Sequence, residues 1–267
     1  MSKVNVITKG IVLTETPYGE SSKILNILTE DYGLIGVMSK GSRNIKNKLR
    51  GISGKMAFAE FTISYKENGL STLIEGNIIN SFKNIFNDFK MASFAFYLMD
   101  LVKQVLQENN DKSLYKLLTS ALIRINDKMS PELISNIVEL KLLDSLGVSL
   151  NLDSCSLCGS PDIYTLDIKN GGVICKDCYT EGYVFNPKSI KLLQLLNDID
   201  LSKITSLEIT DESIIHEIDD FISEYYSTYT GIYLRDKKKF NNISLWWRIS
   251  IKYIILFLYL NNYLLYN

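Results

Sequence analysis

Histidine and proline are scarce in this chain, which has one histidine and four prolines among 267 residues. The single histidine, His216, lies in a helix-like stretch far from the cysteines, so we expect a half-exposed helix residue. No nucleophile with a base, paired acidic motif or phosphate-binding loop is evident, which argues against an enzyme. The scarcity of proline and the lack of a low-complexity linker before residue 240 favour domains that pack against each other.

The chain also lacks an excess of charge of either sign, because its net charge is −1 and its sequence pI is about 6.0. Any affinity for nucleic acid must therefore come from a local cluster of cations. Apolar residues make up 46% and charged residues 22%, as in ordinary globular proteins, and the length allows one large domain or a few small ones. The first ten residues contain no apolar signal run, so we expect a cytoplasmic protein with reduced thiols.

All four cysteines fall in one short region, residues 153–179. Cys155 and Cys158 form one C-x2-C pair, and sixteen residues later Cys175 and Cys178 form a second. Each pair is typical of a tight turn that directs two thiolates to one point, and two such turns supply the tetrahedral sulfur set of a closed structural zinc site. Four protein ligands leave no open position for a reactive water, so we expect zinc here to hold a fold together.

Three other interpretations of the cysteines remain open. Two disulfides would require an oxidising compartment. A redox C-x-x-C motif would be expected as one pair at a strand-to-helix junction. Idle thiols are the third alternative. Because the two pairs match each other, zinc is the interpretation that we prefer.

The first eighty residues have the pattern of β-structure. Runs rich in β-branched or alternating apolar residues predict strands over residues 4–14, 23–29, 34–38, 58–65 and 70–79. Asp31-Tyr32-Gly33 is a turn signal, and Asn68-Gly69 favours a type I′ hairpin turn. Five strands with tight turns and one longer connection favour a small, partly open barrel over residues 1–80.

The longer connection concentrates positive charge. Residues 32–59 contain no acidic residue, and six cations lie there among small polar residues: Lys40, Arg43, Lys46, Lys48, Arg50 and Lys55. A flexible basic loop follows a phosphate backbone well, because lysine and arginine neutralise phosphates and release counterions. Barrels of this type bind single strands with stacking aromatics, for which the candidates are Tyr18, Tyr32, Phe58 and Phe61. The alternative is a solvated loop without a partner, and an aromatic residue in a strand is more often core.

From residue 82 the spacing of apolar residues becomes helical. It predicts helices over 82–106 and 114–125, and Ser130-Pro131 predicts the start of a third that ends before Gly147. Two more helical stretches, 187–196 and 213–234, follow the cysteines and are predicted to close the same bundle. We expect the phenylalanine stripe of this helical domain, residues 81–240, to be core: Phe86, Phe89 and Phe96.

Residues 241–267 differ in composition from the rest of the chain and contain both tryptophans. Residues 253–260 are unbroken apolar, but a pair of asparagines ends the run short of the about twenty residues that a spanning helix needs. One interpretation is an interfacial segment anchored by Trp246, Trp247, Arg248 and Lys252. The other, which we favour, is a readthrough extension that was never selected to fold, and no membrane partner is expected.

Several stretches together resemble the RecO family of bacterial DNA repair proteins. They are K-G-I-V-L at 9–13, P-Y-G-E-S-S-K-I-L at 17–25, D-Y-G-L-I-G-V-M-S-K-G-S-R at 31–43, the four-cysteine region, and the late pair Tyr225 and Gly231. The resemblance covers residues 4 to about 238, and its most specific part is the 32–43 run coupled to the cysteines. The family motif maps onto Tyr18, Glu20, Gly33, Lys40, Gly41 and Arg43. The cations beyond Arg43 are inferred from charge alone.

The resemblance implies an α+β protein, with a five-stranded OB-fold barrel that binds single- and double-stranded DNA and a helical domain with a structural zinc element. It implies no catalytic residue. It also implies a recombination mediator of the bacterial nucleoid, which anneals complementary strands. With its partner RecR, such a mediator helps RecA displace single-stranded-DNA-binding protein from gapped DNA.

The chain departs from the family pattern after the basic loop. Many relatives have a leucine-rich segment ending in Gln-Pro-Phe, where this chain has Ser53-Gly54-Lys55-Met56-Ala57-Phe58. This difference leaves the end of the DNA-facing loop open. A zinc-ribbon scaffold that binds protein partners, with an incidental basic loop, remains the alternative function.

Overall fold

The computed structural model describes residues 4–108, 111–209, 211–237 and 239–240. Strands come first: β1 (Val4–Tyr18), β2 (Ser22–Thr29), β3 (Gly33–Ser39), β4 (Phe58–Tyr65) and β5 (Ser71–Asn80), with a 3-10 turn at Lys48–Ile52. Helices and a short hairpin follow: α1 (Lys83–Asn87), α2 (Phe89–Glu108), α3 (Ser113–Asn126), α4 (Pro131–Ser145), β6 (Thr165–Asp167), β7 (Gly172–Ile174), α5 (Pro187–Asp198) and α6 (Glu212–Tyr229). The predicted α+β class is confirmed.

The first five strands close into a barrel in the order β1-β2-β3-β5-β4. β1 is long enough to pair with β4 through its first half and with β2 through its second, so that one strand closes the barrel. β3 and β5 run parallel, and the other neighbours are antiparallel. Val12, Leu25, Ile27, Phe61 and Ile63 are among the residues that fill the interior. The architecture is OB-like, and the barrel is closed where the sequence predicted a partly open one.

Both turn signals fall at turns. Gly33 has a φ of 66°, a conformation that a residue without Cβ adopts at no steric cost. The connection between β4 and β5 spans residues 66–70, with Gly69 at a φ of 123°. It is longer than the two-residue type I′ turn that Asn68-Gly69 favours, so the predicted turn type is wrong although its position is right.

The helical region is built around α4, which is buried along most of its length and contacts α2, α3, α5 and α6. As predicted, α4 begins after Ser130, whose Oγ accepts the Leu133 N–H, and has Pro131 in its first turn. One continuous apolar core joins these helices to the outer barrel side chains Ile11, Leu13, Leu28 and Phe58. Barrel and bundle therefore pack against each other without a linker.

Two helix predictions need correction. The first predicted helix is divided into α1 and α2, because Asp88 is extended and its carboxylate accepts the Met91 N–H. Phe86 and Phe89 lie at this division and are 55% and 38% exposed, so their predicted core position is wrong. α6 ends at Tyr229, earlier than predicted, and Gly231 follows with a φ of 68°.

Two further expectations can be placed. His216 lies on α6 and is half-buried, as predicted. In the described part of the chain, no helix has the length and apolarity needed to cross a membrane. Both interpretations of residues 241–267 concern positions outside the described residues.

Candidate nucleic-acid interface and metal centre

The connection from β3 to β4 lies against the turn between β1 and β2. The Arg43 backbone N–H donates to the Ser21 carbonyl at 2.8 Å, and Arg43 Nη1 donates to the Gly19 carbonyl at 3.2 Å. Tyr18 precedes this turn, and its side chain is 54% exposed. The contacts of Arg43 thus bring the start of the basic segment to the β1–β2 turn, which directly follows the exposed Tyr18.

The same connection is held by its own polar side chains, which corrects the expectation of a flexible loop. Asn47 Oδ1 accepts the Leu49 N–H at 2.8 Å, while Asn47 Nδ2 donates to the Lys40 carbonyl at 3.1 Å. Ser53 is fully buried, and its hydroxyl lies 2.7 Å from that of Ser39 and donates to the Leu49 carbonyl at 2.7 Å. The small polar residues that suggested flexibility instead satisfy backbone groups within the segment.

The six cations predicted to bind nucleic acid differ in exposure, and one of them pairs with a helix of the bundle. Five are exposed on this connection: Lys40, Arg43, Lys46, Lys48 and Arg50. Lys55 is half-buried and turns toward α2, where its Nζ lies 3.0 Å from Asp100 Oδ1 and 5.1 Å from the centre of the Phe96 ring. The structure therefore brings five predicted residues to one exposed segment and directs the sixth to the helical bundle.

Of the four aromatic candidates for stacking, Tyr18 keeps an open side chain. Phe58 and Phe61 are 5% and 0% exposed, so neither can stack on a base, and the alternative that strand aromatics are core holds for both. Phe61 points from β4 into the barrel interior, whereas Phe58 points outward and stacks on Phe82 in the core shared with the helical bundle. Tyr32 is half-buried and packs on Tyr65 with ring centres 4.5 Å apart.

The four cysteines converge on one point. Their Sγ atoms all lie within 4.8 Å of one another, and those of Cys158 and Cys175 are 3.6 Å apart. A tetrahedral zinc site with zinc–sulfur bonds of about 2.3 Å has sulfur atoms about 3.8 Å apart, so this donor set fits the metal. The two pairs form matching turns, in which Gly159 N–H donates to the Cys155 carbonyl and Tyr179 N–H donates to the Cys175 carbonyl.

The thiols differ in acidity because of their surroundings. Backbone N–H groups directed at its sulfur, first that of Cys175, lower the pKa of Cys155 to about 6. Hydrogen bonds with Cys158 and Cys175 raise the pKa of Cys178 to about 12. All four cysteines are free thiols in the structure. The Cys155 thiolate thus forms at a lower pH than the Cys178 thiolate, and a bound cation would favour the thiolate form of both.

The cysteine region packs against the helical bundle through the β6–β7 hairpin, which the sequence analysis did not predict. Gly172 pairs with Asn151 so closely that a Cβ at residue 172 would lie 2.0 Å from the Asn151 carbonyl oxygen. Leu166 and Val173 join the main core. Hydrogen bonds from the helices include Gln194 Nε2 to the Leu152 carbonyl at 2.6 Å and Tyr229 Oη to the Ile168 carbonyl at 2.7 Å.

Fold and site together define an OB-like barrel with a cationic segment at one end, joined to a helical bundle with a four-cysteine centre. The family profiles described as "Recombination protein O N terminal" and "Recombination protein O C terminal" match residues 1–82 and 87–238. The chain belongs to this family, the RecO family of DNA repair proteins. The resemblance found in the motifs is thereby confirmed.

Relatives of known name are similar over most of their length. DNA repair protein RecO of Bacillus pumilus (strain SAFR-032) is 32% identical over 88% of this chain and 93% of its own. The protein of the same name from Bacillus subtilis (strain 168) is 30% identical over 86% of this chain and 91% of its own. That of Listeria monocytogenes serotype 4b (strain F2365) is 29% identical over 89% of this chain and 94% of its own.

Proposed function

We propose that the protein is a recombination mediator without enzymatic activity, which binds single- and double-stranded DNA through the segment between β3 and β4. The observation that carries the proposal is the group of five exposed cations on this segment, held against the end of an OB-like barrel. The nucleic-acid-binding residues are Lys40, Arg43, Lys46, Lys48 and Arg50, while Lys55 acts from the α2 side.

The chemistry of this segment suits a strand of any sequence. Lysine and arginine contact phosphate oxygens, and the release of condensed counterions supplies most of the binding free energy. Tyr18 adds an exposed ring on which a base can stack, which is equally tolerant of sequence. Because phosphate contacts position a strand without reading its bases, affinity should vary little between unrelated oligonucleotides.

Strand annealing follows from the same electrostatics. Two complementary strands repel each other through their phosphates. A cationic surface that neutralises these phosphates lowers the repulsion between the strands and leaves the base edges free to pair. The assistance to RecA, the partnership with RecR and the encounter with single-stranded-DNA-binding protein are proposed from family membership. Action in the bacterial cytoplasm is proposed on the same ground.

We also propose that Cys155, Cys158, Cys175 and Cys178 hold one zinc ion. The sulfur spacing and the four-thiol donor set support this. A zinc ion held by four thiolates supplies folding free energy and has no position open for a substrate. The residues around it anchor residues 151–174 to α5 and α6, so the metal stabilises the helical bundle.

Binding of labelled single-stranded DNA, measured across a series of salt concentrations, tests the DNA-binding proposal. We expect similar affinity for oligonucleotides of unrelated sequence and a steep, linear decrease of the logarithm of affinity with the logarithm of salt concentration. Absence of binding at low salt would contradict the proposal. The protein would then act as a zinc-ribbon scaffold for protein partners.

A further inference from the structure

One carboxylate bridges the barrel and the end of the helical bundle. Asp100 on α2 accepts from Lys55 Nζ through Oδ1 and from Arg235 Nη2 through Oδ2, each at 3.0 Å. Lys55 belongs to the segment between β3 and β4, whereas Arg235 follows α6. Residues far apart in sequence thus form one group at the seam between the barrel and the bundle.

The Arg235 side of this group is firmly positioned. Two residues further on, Lys237 is buried and its Nζ contacts Glu139 at 2.7 Å and Asp219 at 2.8 Å. Phe240 then packs edge-on against Phe94 with ring centres 5.0 Å apart. Because the segment is fixed on both sides of Asp236, the Arg235 backbone is held beside α2 while its side chain remains 57% exposed.

The group formed by Lys55, Asp100 and Arg235 has the charge and the hydrogen-bond donors to bind an anion. One carboxylate balances one of the two cations, so the group keeps a positive charge. A lysine ammonium has three donors and a guanidinium has five, of which Asp100 uses one from each. The remaining donors are suited to phosphate oxygens, and a guanidinium binds these with two donors at once.

We propose that Lys55 and Arg235 form a second phosphate-binding point, by which a strand bound at the segment between β3 and β4 continues across the seam onto the helical bundle. Asp100 holds the two cations together, and Arg235 is the contact from the helical side. This inference rests on the proposed function, because it extends the same strand path beyond the barrel.

The test compares Arg235→Gln and Arg235→Lys with the parent protein on single-stranded oligonucleotides of increasing length. Arg235→Gln should match the parent on the shortest oligonucleotides and bind more weakly on longer ones that reach the seam. On these, the log–log salt slope should flatten by about 0.7 for the lost phosphate contact. Arg235→Lys should recover most of the binding, because the charge is retained. Lys203→Gln is the matched control, since Lys203 is an exposed lysine that is also paired with an aspartate, Asp200 at 3.3 Å.

Two results would overturn the inference, and they are distinguishable. If Arg235→Gln matches Lys203→Gln at every length while charge reversal in the segment between β3 and β4 abolishes binding, the strand does not reach the seam and the proposed function stands. If neither change affects binding, the proposed function fails as well.

Discussion

At the scale of single residues, Gly172 occupies a position that has no room for a side chain. We expect Gly172→Ala to lower the free energy of unfolding by about 1–3 kcal/mol or more, because its Cβ would lie 2.0 Å from the Asn151 carbonyl oxygen. Gly54→Ala is the control, since no atom lies within 4 Å of the added Cβ, and it should change stability by less than about 0.5 kcal/mol. Urea unfolding of the two variants measures both effects, and equal stabilities would refute the close approach at Gly172.

Lys237 presents a different kind of constraint, a buried cation between two carboxylates. Burial raises the pKa of Glu139, and the charge of Lys237 opposes that increase. Burial alone would lower the pKa of Lys237, but the carboxylates of Glu139 and Asp219 outweigh it and raise that pKa. Tyr97 Oη also donates to Glu139 Oε1, at 2.5 Å. Removing any one member of this cluster therefore takes a charge or hydrogen-bond partner away from a buried group.

Lys237→Met should destabilise the protein by about 3–5 kcal/mol at neutral pH, because it leaves buried carboxylates without their cation. The pKa of Glu139 then rises further, since the lysine no longer opposes the effect of burial. A carboxyl whose folded pKa lies above its unfolded value stabilises while protonated and loses that contribution as the pH rises through the folded pKa. The variant should therefore be more stable at about pH 5 than at about pH 8, as measured by urea unfolding.

The double variant Lys237→Met with Glu139→Gln tests the assignment. Glutamine cannot ionise, so most of the additional pH dependence should disappear. A pH dependence that persists unchanged would mean that Glu139 is not the titrating group.

At the scale of structural elements, the cysteine region is predicted to depend on its metal. Metal analysis under reducing conditions should find one zinc per chain. Cys175→Ser should reduce the zinc content and the melting temperature, because the binding energy of a closed site is largely folding energy. The DNA affinity of the folded fraction should change little, since the cations lie on the barrel segment and not in this region. Protein without zinc but with the parent's stability would refute a structural metal.

Periodicity and spacing were sufficient to predict most elements. The five barrel strands, α3 to α5 and the cysteine centre all follow from local patterns, because alternation, helical spacing and C-x2-C turns are properties of neighbouring residues. Asp100 was missed because it lies 45 residues from Lys55, and no local signal relates the two. The β6–β7 hairpin was missed because each of its strands has only three residues. The division at Asp88 was missed because apolar spacing continues through it.

At the scale of the whole molecule, the barrel and the helical bundle share one apolar core, and positive charge is concentrated in one segment of the barrel. The net charge of −1 gives no general attraction to DNA, yet residues 32–59 contain six cations and no acidic residue. The continuous core beneath the barrel and the bundle holds this segment on a rigid support. Affinity for a polyanion then depends on where charge lies and not on its total.

The most direct measurement of the central claim is single-stranded DNA binding by the triple variant Arg43→Glu, Lys46→Glu, Lys48→Glu across a salt series. The control reverses three exposed lysines of the helical domain, Lys169, Lys188 and Lys203, and so makes the same change in net charge. We predict weaker binding by the first variant for all sequences, a log–log salt slope flatter by about 0.7 per lost contact, and slower annealing. Its melting temperature and zinc content should stay near the parent's, because the three side chains are exposed and the one hydrogen bond lost, from Arg43 to the Gly19 carbonyl, is also exposed. Parent-like binding and annealing by this variant, or an equal loss in the control, would contradict the account.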